Sequence, residues 1–142
     1  MINLQDLNFA IHLATGYTNI EVAKQDDSTL PRSEFLPAIR TQYLSINTDD
    51  ADVSTSVSSC LLDMSQYQTI VIIVKIYSKN EDFPTVWENI NKALTGYMPE
   101  NDSRNHISMR HLEGNMLSVQ NSISVWADKY AINIERVKQS GV

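Results

Sequence analysis

The sequence predicts an α+β fold, a mostly antiparallel sheet with two helices packed on one face. Three observations lead there. The run SKNEDFPTVWENINKALTGYMPEN, residues 78–101, reads as one capped, amphipathic helix between turns. The run TIVIIVKIYS, residues 69–78, reads as a buried strand. The C-terminal third breaks into short alternating runs, as antiparallel strands do. At 142 residues the chain has single-domain length, so one domain, 1–142, is expected to bury its core without metals or disulfides.

Asn3 is placed to cap a first helix, with Asp6 three residues on in the capping-box position. Leu4, Leu7, Ile11 and Ala14 then recur at helical spacing until Thr15-Gly16 ends the run. So short a helix must dock on something to persist. TNIEVAKQ reads as a strand alternating at Ile20 and Val22, and DDSTLPRSEFLP, broken by Pro31 and Pro37, as a loop. AIRTQYLSI is a second strand, with Ile39, Thr41 and Tyr43 on one face and Arg40, Gln42 and Leu44 on the other. NTDDADVSTSVSS, the most polar stretch, reads as a long loop or a mobile hairpin.

In QTIVIIVKIYS, Ile70, Ile72, Val74 and Ile76 point one way and Val71, Ile73, Lys75 and Tyr77 the other. A strand apolar on both faces belongs at the centre of a sheet. In the helix after it, Asp82 or Asn80 is the candidate N-cap and Pro84 suits the first turn. Val86, Trp87, Ile90, Ala93 and Leu94 form the apolar stripe; Glu88, Asn89, Asn91 and Lys92 form the wet side, with Glu88 and Lys92 at i,i+4. Gly96 supplies a left-handed C-cap, and Pro99 prevents resumption. Burying Trp87, Ile90 and Leu94 should contribute on the order of 6 kcal/mol. In the C-terminal third, HISMRHL alternates at Ile107 and Met109, Glu113-Gly114-Asn115 gives a turn signal, and MLSVQ and ISVWADKYAINIERV supply further strands.

Chemistry is sparse. The 11 Lys and Arg against 17 Asp and Glu, net −6, argue against a broad phosphate-binding surface, and no sequence-specific nucleic acid is expected. No apolar run reaches the roughly eighteen residues of a membrane span. The N-terminus, acidic at Asp6 and without a basic n-region, does not read as a secretory signal. A lone Cys60 excludes an internal disulfide and a thiolate-rich zinc site within one chain, and fits a reducing compartment. Cys60 lies in SSCLLD, which is no nucleophile signature. His12 reads as a boundary residue of the first helix, and His106 and His111, five apart on a strand, as ordinary strand histidines facing opposite sides. Asp49, Asp50 and Asp52 lack the Gly and the final Glu of a calcium loop. With four glycines and no GxGxxG, Walker, GxSxG or HExxH pattern, no catalytic, cofactor or metal residue is expected, and no cofactor. Trp87 and Trp126 read as core.

Four segments together carry a resemblance: LPAIRTQYLSI, the strand TIVIIVKIYSKN, the helix FPTVWENINKALTGYMPEN ending in AL-x-G, and VWADKYAINIERV with its Trp. Over residues 17–137 the chain resembles small bacteriophage tail proteins of the tail-terminator type, including the Mu-like prophage minor-tail family. The polar stretch Asn47–Ser59 has no counterpart in that pattern. The resemblance implies a non-enzymatic structural subunit of a homo-oligomeric ring, usually a hexamer. Such a ring caps the tail tube and meets the head-tail connector, in the virion tail and, during assembly, in the host cytoplasm. An acidic subunit would suit a channel that DNA must traverse without sticking. Candidate contacts lie in the two polar loops: Asp26, Asp27, Arg32 and Glu34 in the first, Asp49, Asp50 and Asp52 in the second. The alternatives are a small ligand- or protein-binding α+β module of a host regulatory system, with one concave apolar pocket, and an enzyme using Cys60 or His111.

Overall fold

A computed structural model describes residues 2–24, 29–49, 63–99 and 106–139. The elements run α1 (Leu4–Thr15), β1 (Asn19–Val22), a 3-10 turn (Ser33–Phe35), β2 (Ala38–Asp49), β3 (Asp63–Lys79), α2 (Phe83–Leu94), β4 (His106–Gln120) and β5 (Ile123–Gln139). One sheet holds all five strands in the order β1-β2-β3-β5-β4. β1 is parallel to β2, and every other pair is antiparallel. The fold is α+β, and β3 is the central strand that its doubly apolar run requires.

The helices form where local chemistry asks for them. Asn3 Oδ1 accepts from the N–H of Gln5 at 2.8 Å, and the N–H of Gly16, at φ +79°, returns to the His12 carbonyl at 2.8 Å. Leu4, Leu7, Asn8 and Ile11 form the buried side of α1. Asn8 Oδ1 accepts from Thr41 Oγ1 at 2.7 Å inside the core and fastens α1 to β2. Asp82 is the N-cap of α2, but its side chain makes no capping bond. The Asn80 side chain instead accepts from Ser124 Oγ, which ties the start of α2 to β5. Past α2, Gly96 at φ +85° turns the chain so that its N–H reaches the Met109 carbonyl at 2.8 Å.

Both helices pack on one face of the sheet. Ile70, Ile72, Val74 and Ile76 of β3 are fully buried there, with Leu7, Ile11, Ile39, Ile90, Leu94, Tyr130 and Ile132. Trp87 and Ala93 lie half-buried on the shoulder of the α2 stripe, whose fully covered members are Ile90 and Leu94. The 6 kcal/mol expected with Trp87 therefore falls to about 4 from Ile90 and Leu94, plus a fraction from the indole. The opposite face of β3 is less covered: Val71, Ile73 and Lys75 are half-buried, and only Tyr77 is buried, in a small cluster with Ala38 and Val125.

Four expectations change. Glu113-Gly114-Asn115 is no turn but the middle of β4, so the C-terminal third holds two long strands and not three. The hairpin turn is Asn121-Ser122, at φ +52° and +64°, the left-handed pair that a two-residue type I′ connection needs. Of the loop and hairpin readings of the polar stretch, the loop fails at its start: Asn47, Thr48 and Asp49 are strand, paired with Thr69, Gln68 and Tyr67, because β3 supplies their backbone partners whatever their polarity. The register also slips, once in β2 between Tyr43 and Ser45 and three times in β4. Leu44 is therefore a bulge residue and no regular member of the Arg40–Gln42 face. The slip between Ile107 and Arg110 likewise breaks the alternation that was to set His106 and His111 on opposite faces.

Candidate functional site

The site is built on β5, whose residues Trp126, Asp128, Tyr130 and Ile132 pair in register with Ile76, Val74, Ile72 and Ile70 on the helix-covered face. Asp128 thus enters an apolar layer and is fully buried. Gly114 of β4 lies opposite it. A Cβ at Gly114 would stand 2.0 Å from Asp128 Oδ1 and 2.7 Å from the Trp126 indole, so only glycine leaves room for both.

From β4, His111 Nε2 donates to Asp128 Oδ1 at 2.8 Å. The imidazole meets Tyr130 edge-on at 5.1 Å between centroids and Trp87 of α2 at 6.2 Å. Phe83 rests against Trp126 at 5.3 Å. Asp128 Oδ2, the Tyr130 hydroxyl and the Nε1 atoms of Trp87 and Trp126 are buried without a hydrogen-bond partner among the described residues. Four such atoms in one neighbourhood are unusual for a folded protein. Burial, and then the nearby Asp128, push the Tyr130 hydroxyl pKa above its ordinary value.

Beside this cluster an open groove of about 530 Å³ is lined by Phe83, Pro84, Trp87, Glu88 and Trp126. That volume lies within the roughly 300–1,000 Å³ of small-molecule sites. A carboxyl that orients an imidazole is half of a nucleophile-activating arrangement. Among the described residues no hydroxyl or thiol bonds to His111, and no group of three or more His, Cys, Asp and Glu converges as a metal site.

A second feature lies at the sheet margins. β1 covers β2 only over Ala38–Thr41, so among the described residues the outer side of β2 beyond Thr41 carries no strand, and neither does the outer side of β4. The residue passed over at the β2 slip is Leu44, and at two of the β4 slips Leu112 and Leu117. All three are exposed, at 47%, 45% and 49%. Tyr43 and Ile46 of β2, and Met116 and Val119 of β4, are exposed as well.

Of the residues singled out as contacts, Arg32 and Glu34 come together at 3.9 Å on the exposed 3-10 turn. Asp49 ends β2. Asp26, Asp27, Asp50 and Asp52, and the thiol of Cys60, lie outside the described residues. His12 donates from Nδ1 to the Tyr17 carbonyl at 2.7 Å, a bond across the end of α1. Sequence reasoning passed over Asp128 and Gly114. The signal for Asp128 was present: in VWADKYAINI it falls in phase with Trp126, Tyr130 and Ile132. No protein-family model matches the chain, and no curated protein matches it.

Proposed function

We propose that the protein is a structural subunit of a phage tail, of the tail-terminator type, which associates with its own copies into a ring on the tail tube and meets the head-tail connector. The observation that carries this reading is the pair of unlike sheet edges, each with exposed leucines where the register slips. Exposed apolar clusters of this kind favour a protein partner. Two different patches on opposite sides of one sheet suit a head-to-tail contact, which closes into a ring when the rotation per subunit divides a full turn. The net charge of −6 supports a channel that DNA passes without adhering.

Light scattering across a concentration series, with and without tail-tube protein, tests it. A monomer that becomes a closed ring, alone or on the tube, is the expected result. A mass that stays monomeric or dimeric at every concentration, indifferent to the tube, rules it out. The second reading, a small ligand-binding α+β module, is favoured by the aromatic groove of Phe83, Trp87 and Trp126.

A further inference from the structure

We infer that the groove between α2 and β5 binds a small organic cation with a compact alkylated ammonium head. This names a ligand class for the ligand-binding reading and rests on it; ring assembly is not required. The lining is almost wholly aromatic and aliphatic: Phe83, Pro84, Trp87 and Trp126. An indole or phenyl face carries negative potential, and a soft cation gains from it what a neutral group of the same shape does not. Phe83 and Trp126 are tilted at 49° to each other, so their faces are not sealed against one another as in a parallel stack.

Charge around the groove points the same way. Glu88, the one ionisable residue in the lining among the described residues, is exposed at the rim. Asp128, buried and bonded through Oδ1 to His111, stands two residues from Trp126 on the same face of β5, with Oδ2 lacking a partner among the described residues. The positive end of the α2 dipole, which would oppose a cation, is met by Glu81 and Asp82 immediately before the helix. The nearest opposing charge on α2 is Lys92, one turn on, bonded to Glu88 at 3.2 Å. That pair is solvent-exposed and weak, so an incoming cation can take the carboxylate over at little cost.

The chain's two tryptophans, Trp87 and Trp126, both line the groove, so intrinsic fluorescence reports on it directly. The experiment titrates the whole protein with choline chloride and, separately, with its uncharged carbon isostere dimethylbutanol, at constant ionic strength. The expected result is a saturable change with choline and binding of dimethylbutanol weaker by about tenfold or more. Glu88→Gln should weaken choline alone by about two- to fivefold, and Lys92→Gln, which frees the carboxylate, should strengthen it by a similar factor. Both positions are exposed, so neither change threatens the fold. Equal binding of the two probes overturns the inference but leaves a ligand groove standing. Saturation by neither overturns the inference as well, and the ligand-binding reading then stands or falls with ligands of another shape.

Discussion

Gly114 gives the space of its missing side chain to Asp128, whose Oδ1 lies 2.0 Å from where a Cβ would stand. That oxygen is also the acceptor for His111, so the glycine, the carboxyl and the imidazole form one packing unit.

Gly114→Ala should therefore destabilise the protein by about 2 kcal/mol or more, the range of overpacked cores. Urea unfolding measures it. A loss under about 0.5 kcal/mol would mean that the carboxyl swings aside freely.

Removing the imidazole tests the same unit from the other end. His111→Ala leaves the buried Asp128 carboxyl with neither oxygen bonded among the described residues and should cost about 2–3 kcal/mol. The double variant Gly114→Ala with His111→Ala should cost less than the sum of the two, because both disturb one oxygen.

Tyr130→Phe should leave stability unchanged or raise it by about 1 kcal/mol, since it deletes a buried hydroxyl that has no partner among the described residues. The pH dependence has a definite sign. The folded hydroxyl holds its proton above the ordinary tyrosine pKa of about 10, while the unfolded chain releases it there. Stability from this group is whole below that value and falls as pH rises past it. Denaturant midpoints should decline less steeply at alkaline pH in Tyr130→Phe than in the parent protein.

The two aromatic and aliphatic members of the α2 stripe should separate. Ile90→Ala, at a fully buried position, should cost about 3–4 kcal/mol, and Trp87→Ala, half-buried on the groove wall, about 2. A cost below about 1 kcal/mol for Trp87→Ala would mean that the indole serves a partner or ligand rather than the core.

Edge leucines should behave in the opposite way. Leu44→Gln, Leu112→Gln and Leu117→Gln change exposed bulge residues, so unfolding free energies should move by no more than about 0.5 kcal/mol each. If the proposed ring forms through these edges, the triple variant should scatter light with the mass of the single subunit. Retention of a full ring in the triple variant would exclude these edges as the contact.

Much of the frame was legible because it rests on local rules. Asn3 and Gly16 bound α1 by capping chemistry, and Ile70 to Tyr77 declare a central strand by being apolar in both phases. What stayed hidden depends on neighbours across the sheet. Glycine after glutamate and before asparagine looks like a turn until one knows that Asp128 and Trp126 need the space. Asn47 to Asp49 look like a loop until β3 is seen beside them. The slips in β4 leave no local mark, since Leu112 and Leu117 are as apolar as any core residue. Of the candidate site, the tryptophans were visible as residues, but the groove they form with Phe83 depends on where α2 lies on the sheet.

The register slips also set where this chain can change length. β4 spends an extra residue at each of its three irregularities, so loss of Leu112 or Leu117 would return a stretch of it to regular pairing. Loss of one residue from β5 would instead turn Trp126, Asp128 or Tyr130 to the wrong side of the sheet. Insertions and deletions among descendants of this sequence should accordingly gather in β4 and spare β5, and a designer seeking a graft point should look along that same margin.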